Sequence, residues 1–190
     1  MARIIGVENQ LTQPIYDTVQ AAAVAGQTVS FFSVPLNGVL AGAVTKTYAH
    51  TNLVQAGRLE TGVELEINAI SLSIRPTIAA GTAPTLVDFR ALYQASHINL
   101  QLGGVSFLRL PAHAIPAANS ENQYFSAIAA APTEFQSNHG LGSIHNKLDI
   151  TPILLEAQET IQCDLFIGGT LAAVMDLTMI LWGKMKRPVR

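Results

Sequence analysis

Charge is scarce in this chain. Asp, Glu, Lys and Arg make up 13% of its 190 residues, against about 25% in an average soluble protein, so charge alone cannot cover the surface. Ser, Thr, Asn and Gln fill part of the gap, yet the mean hydropathy is +0.31, which leaves apolar surface waiting for a partner. Extensive self-association is the plain reading of that surplus, and contact with lipid is its rival. The formal net charge of −2 excludes a global attraction to nucleic acid or anionic lipid, so any such binding has to come from local clustering. Cysteine is nearly absent too. Cys163 stands alone, which excludes an intramolecular disulfide, and its place in an alternating apolar row marks a small buried side chain rather than a reactive thiol. The N-terminus, Met-Ala-Arg-Ile-Ile-Gly-Val-Glu-Asn-Gln, lacks the apolar core and small-residue cleavage site of a secretory signal, so assembly in a cytoplasm is the expectation.

Signatures of chemistry are also missing. The histidines at 50, 97, 113, 139 and 145 stand at none of the close spacings that metal sites use. His139 and His145 share a Gly-rich loop without a neighbouring carboxylate or cysteine, and a zinc site there would need a third ligand from elsewhere. The paired His-x-His followed by Glu of a metal-binding cupin does not occur, nor does a Gly-x-Ser-x-Gly elbow, a Walker loop or a His-Glu-x-x-His helix. Gly38, Gly42, Gly57 and Gly62 read as scattered turn glycines. Glu156 and Glu159 could form an acid and base pair, but two carboxylates in a strand connection are far more often solvated. The expectation is a non-enzymatic chain with no catalytic residue, no cofactor, no metal and no small-molecule substrate.

What the sequence does have is strand periodicity. At 190 residues and 20.2 kDa it suits one well-cored domain. Residues 10–25 give a helical signal, with Ile15, Val19, Ala22 and Ala23 near a 3.6-residue spacing and Gly26 as a stop. Thr28 to Pro35 is a short β-branched and aromatic run that the proline closes. In Glu64 to Arg75, Leu65, Ile67 and Ala69 alternate with polar partners, then the phase slips by one and Ile70, Leu72 and Ile74 carry the apolar face onward. A slip of one residue is what a β-bulge produces, so one long bent strand is expected.

Thr85 to Ser96 reads as a helix of about three turns, with Thr85 as N-cap, Asp88 in the first turn and Leu86, Phe89, Leu92 and Tyr93 as its apolar stripe. Ile98, Leu100 and Leu102, a break at Gly103-Gly104, then Val105, Phe107, Leu108 and Leu110 look like two paired strands. Residues 112–146 form the longest irregular stretch. Strands return at 148–152, 160–167 and 175–182. In the last two, Ile161, Cys163, Leu165 and Ile167, then Met175, Leu177, Met179 and Leu181, hold a strict two-residue period. The core is expected to consist of Leu65, Ile67, Ile70, Leu72, Ile74, Ile161, Cys163, Leu165, Ile167, Leu177, Met179 and Leu181. Several strands without regular strand and helix alternation point to a mainly β fold, an antiparallel β-sandwich with one or two short helices.

Two C-terminal features bear on partners. Phe166 to Gly183 is an apolar run of membrane-span length, followed by basic residues. Asp176 near its middle costs roughly 2.5–3.5 kcal/mol on insertion, and Gly168-Gly169 suits a turn, so a hairpin is the expectation and a transmembrane anchor the alternative. Lys184, Lys186, Arg187 and Arg190 place four of the 11 basic residues at the C-terminus. They read either as a solvated tail or as a contact to membrane, nucleic acid or a neighbouring subunit.

Pro152-Ile-Leu-Leu-Glu-Ala-Gln-Glu-Thr-Ile-Gln-Cys-Asp-Leu-Phe-Ile167, followed by a strand ending Leu-Trp-Gly-Lys-Met-Lys-Arg-Pro-Val-Arg190, resembles the closing strands of phage structural proteins with a jelly-roll core, and Leu59 to Arg75 is similar in style. In size the nearest match is the small single-jelly-roll capsid protein of icosahedral phages with an internal membrane. The residues place the sandwich over 28–183, with an arm or short helix over 1–27 and a basic tail over 184–190, and the resemblance implies that this sandwich is a jelly roll. It also implies a capsid subunit that self-associates in the virion, alongside a second coat protein and around a lipid vesicle that the basic tail faces. A β-sandwich recognition module, a spike or glycan-binding domain, stays open, with Tyr124 and Phe125 beside Asn119 and Asn122 as its local candidate.

Overall fold

The computed structural model describes residues 10–41, 44–77, 84–116, 122–126, 134–138 and 147–186. In chain order the elements are β1 (Gln10–Thr12), β2 (Ile15–Ala21), β3 (Ala25–Phe31), β4 (Val39–Ala41), β5 (Val44–Thr45), β6 (Glu64–Pro76), α1 (Leu86–Gln94), β7 (Ser96–Leu102), β8 (Val105–Pro111), a 3-10 turn (Ala112–Ala114), β9 (Asn122–Ser126), β10 (Glu134–Asn138), β11 (Leu148–Leu155), β12 (Ile161–Thr170) and β13 (Met175–Lys186). Nine of these strands, the short β1 and eight others, build two antiparallel sheets. One has β2, β13, β6 and β11 in that order, with β1 continuing the β2 edge along β13. The other runs β3, β12, β7, β8.

The pairing has a simple logic. Numbered by their order along the chain, the eight strands pair first with eighth, second with seventh, third with sixth and fourth with fifth, as β2 with β13, β3 with β12, β6 with β11 and β7 with β8. This is one long hairpin whose tip is Gly103-Gly104, both at positive φ as a tight hairpin turn requires, rolled so that its two halves stack. The common order of the sheets sets β2 and β3 on one flank and β8 and β11 on the other.

The inward faces form one apolar core, and every residue the periodicity assigns to it is buried, from Leu65 and Ile67 through Cys163 and Leu165 to Leu181. The expected bulge in β6 is present. Ala69 and Ile67 sit opposite the consecutive residues Trp182 and Gly183, so Asn68 is the extra residue that shifts the phase. Helix α1 starts where expected: the buried Asp88 carboxylate accepts the Thr85 N–H at 2.7 Å and the Thr85 hydroxyl at 2.9 Å. Phe89 and Leu92 face the core.

Several expectations need correction. Residues 15–21 and 25–27 are strand, not helix or arm, because Ile15, Asp17, Val19 and Ala21 alternate inward, with Asp17 concealing the period. The run 28–35 is not closed by Pro35: β3 ends at Phe31, and Phe32 turns the chain at a φ of 65°. Phe166 to Gly183 is neither an anchor helix nor a hairpin turning at Gly168-Gly169. It comprises the end of β12, a connection over 171–174 and most of β13. No helix among the described residues is long and apolar enough to cross a membrane.

The two glycines instead seat α1. A Cβ on Gly169 would lie 2.6 Å from the Ala91 Cβ, one on Gly168 would lie 2.9 Å from the Ala95 carbonyl oxygen, and that oxygen accepts the Gly168 N–H at 2.9 Å. The stretch 112–146 is not wholly irregular, since β9 and β10 pair in register from Asn122 opposite Asn138 to Ser126 opposite Glu134. The basic tail does not begin at 184, because β13 runs to Lys186.

Candidate functional site

Large apolar side chains stand exposed on two flanks of the described surface. On the flank formed by β8 and β11, Val105 and Phe107 of β8 and Leu154 of β11 are exposed. They are there because the edge strands turn every second residue outward, and these outward positions are apolar. On the opposite flank the chain between β3 and β6 lies along the outer edge of β2: Thr18 donates its N–H to the His50 carbonyl at 2.7 Å, and Asp17 and Thr51 form an antiparallel bridge. This insertion carries the β4–β5 hairpin and presents Val39, Val44, Tyr48 and Val54, with Tyr48 67% exposed. Large apolar groups therefore stand on both flanks.

Beneath that insertion lies a buried ion pair. Asp17 points inward from β2, and Lys46 reaches it with Nζ 2.6 Å from Oδ1, the two side chains being 0% and 1% exposed. The second oxygen, Oδ2, accepts the Phe32 N–H at 2.7 Å. Burial raises the Asp17 carboxyl above its ordinary value, and the hydrogen bonds from Lys46, Phe32 and Thr51 and the charge of Lys46 only partly offset it. Sequence periodicity missed both residues. The one available signal was an aspartate inside an otherwise apolar alternating row.

Of the basic cluster, Lys184 and Lys186 project from the outer face of β13 and are exposed. In register they face Glu66 and Glu64 of β6, and Lys186 Nζ lies 3.9 Å from a Glu64 carboxylate oxygen. Their positive field is thus partly met within the chain, and an exposed pair of this kind adds little stability. Arg187 and Arg190 lie outside the described residues, as do Asn119, His139 and His145. Asn122, Tyr124 and Phe125 belong to β9, of which only the backbone is described.

The remaining candidates have structural roles. His97 stacks on Phe166 with ring centroids 4.8 Å apart. The His50 ring nitrogen Nδ1 accepts the Thr47 N–H at 3.1 Å, and His113 Nδ1 lies 3.2 Å from the Tyr93 carbonyl. Glu159 accepts the Glu156 N–H at 2.9 Å and so closes the turn between β11 and β12. Cys163 is fully buried, and burial, with the charge of Asp164, raises its thiol well above the usual range, which opposes thiolate chemistry. Near the end of β13 a pocket of about 30 Å³, lined by Ile15, Leu53, Leu59, Val63, Arg58 and Met185 among others, has room for little more than a water molecule. Among the described residues no group of three His, Cys, Asp or Glu side chains is placed to hold a metal.

No protein-family model matches the chain, and no curated protein matches it.

Proposed function

We propose that the chain is a structural virion protein, a jelly-roll capsid subunit that assembles with copies of itself into an icosahedral shell. The observation that carries this reading is the pair of apolar flanks: Val105, Phe107 and Leu154 on one side, Val39, Val44 and Tyr48 on the other. A subunit with distinct contact surfaces on opposite sides associates head to tail, and head-to-tail contacts close into rings when the rotation allows. The same surfaces account for the low charge, because residues covered by a neighbour need no solvation. The jelly-roll reading is supported by the strand order, which is that of a long hairpin rolled into two sheets, an architecture used by capsid and lectin domains alike. A second coat protein is a further partner under this reading. An internal membrane is another, approached through Lys184, Lys186, Arg187 and Arg190 with the attraction moderated by Glu64 and Glu66.

The test is assembly. Light scattering and electron microscopy of the purified chain should show oligomers many subunits in size, and the double substitution Val105→Asp with Phe107→Asp should reduce them to small species with an unchanged circular dichroism spectrum. A wild-type chain that remains monomeric at high concentration, alone and with the other coat proteins of its virion, would remove the reading.

A further inference from the structure

Lys46 is the one buried cation among the described residues, and its contact with Asp17 is not a surface the proposed assembly uses. Burying a charged pair in a chain this poor in charge is costly, and replacing such a pair by apolar groups is often neutral or stabilising. The arrangement around it is specific. Lys46 Nζ touches Oδ1 at 2.6 Å, while Oδ2 is held separately by the Phe32 N–H at 2.7 Å. Phe32 adopts a φ of 65°, a left-handed conformation that a bulky residue holds only when its surroundings over-determine it. The strained backbone thus aims a donor at one carboxyl oxygen while the amine sits on the other.

We propose that this pair is a modification site, at which Lys46 Nζ and Asp17 Cγ condense to a self-formed amide cross-link. In water the condensation is blocked because the amine and the acid are both ionised. In the interior the charged forms lose their solvation, whereas the neutral pair and the amide do not depend on it. The ammonium proton passes from Nζ to Oδ1 along the hydrogen bond between them, leaving a free amine lone pair and a carboxylic acid. That lone pair attacks Cγ, and the carbonyl electrons move onto Oδ2, where the Phe32 N–H stabilises the developing charge as an oxyanion donor does. Collapse restores the C=O bond at Oδ2 and breaks the bond from Cγ to Oδ1, which takes a second proton from nitrogen and leaves as water. One N–C bond forms, one C–O bond breaks, two protons leave nitrogen, and no oxidant or reductant is needed. The raised affinity of buried Asp17 for its proton favours the form the step requires. The product would tie the insertion permanently to β2 and close a covalent loop around β3, β4 and β5, restraining the unfolded chain as a disulfide would in a protein whose single cysteine cannot form one within the chain.

Intact-mass spectrometry of the purified full chain, followed by proteolytic mapping, tests this directly. The expected result is a mass one water molecule below that of the sequence and a branched peptide joining Asp17 to Lys46, with Lys46→Met and Asp17→Ala chains at their full sequence masses. Folded wild-type protein at full mass, yielding separate unmodified peptides that contain Asp17 and Lys46, would overturn the proposal. A water lost at any other position would overturn it equally. Because the deciding measurement is made on the wild type, the conclusion stands even where a variant does not fold.

Discussion

Replacing Gly183 by alanine would drive a methyl group into the main chain of the neighbouring strand. Gly183 lies in β13 beside the β6 bulge, and a Cβ built there would stand 2.9 Å from the Glu66 carbonyl carbon and 3.2 Å from the Ile67 Cα, with the Glu66 oxygen closer still. Ordinary carbon contacts begin at about 3.5 Å, so the two strands would have to part by something on the order of half an ångström or more. Neither can yield easily, because β13 and β6 are central strands with partners on both edges. Overpacking of this kind costs about 1–3 kcal/mol, and loosening two flanking ladder hydrogen bonds adds about 0.5–1.5 kcal/mol each. The lower entropy of the unfolded alanine chain returns about 0.4–1 kcal/mol. The net expectation is a loss of about 1–5 kcal/mol, centred near 3, read from the urea midpoint at an unchanged slope. Gly104→Ala is the internal comparison: its φ is 80° but its Cβ would meet nothing within 4 Å, so it carries only the left-handed backbone cost of about 1–2 kcal/mol. If Gly183→Ala costs less than about 0.5 kcal/mol, or less than Gly104→Ala, the close approach of β13 to β6 is wrong.

Leu165→Ala truncates a fully buried side chain on β12 and should cost about 2–5 kcal/mol in the same titration; a value near zero would place that residue on the surface. Gly169→Val should push α1 off β12, since even a Cβ would meet Ala91 at 2.6 Å, and hydrogen exchange should accelerate across residues 86–95 while β6 and β13 stay protected. Asp88 is a case of pH linkage: burial would raise its carboxyl, but the N–H groups of Thr85, Ala172 and Ala173 and the Thr85 hydroxyl outweigh it and leave the group below its ordinary value of 3.8. A depressed folded value means that this contribution is fully present above the ordinary carboxylate range and fades as pH falls through the folded value. Asp88→Asn should therefore cost about 1–3 kcal/mol at neutral pH and progressively less in acid; a penalty that grows on acidification would contradict the assignment.

The strands that were legible in the sequence are those whose inward rows are uniformly apolar. Ile161 to Ile167 and Met175 to Leu181 carry an apolar residue at every inward position, and the one-residue slip after Ala69 marks the bulge. β2 was illegible for the opposite reason. Its inward row contains Asp17, and with that position removed Ile15 and Val19 fall four apart, which imitates a helix. The signal that spoiled the strand pattern is thus the most unusual side chain in the interior. Gly168-Gly169 misled because paired glycines mark turns locally, whereas here their lack of side chains answers a tertiary demand, the seat of α1, that no local pattern encodes. Lys46 could not be foreseen at all, since its burial depends on a partner that lies far from it in sequence.

Edge chemistry constrains how two such subunits could meet. A free strand edge invites backbone pairing unless proline, charge or a bulge blunts it. β11 carries Pro152 within the stretch where its ladder to β6 slips between Asp149 and Ile153, and the exposed Asp149 lies just before it. β8 ends on Pro111 and presents the exposed Arg109. Across the molecule, the outer edge of β2 is already engaged by the insertion, through the Thr18 N–H to His50 and the bridge from Asp17 to Thr51. Strand addition is therefore obstructed at β11, β8 and β2, while Val105, Phe107, Leu154, Val39, Val44 and Tyr48 remain outward. Under the proposed assembly, contacts between copies at these three edges would run through side chains. Such contacts can be specific and self-limiting where continued strand pairing would run on into fibres, and a closed shell needs contacts of the first kind.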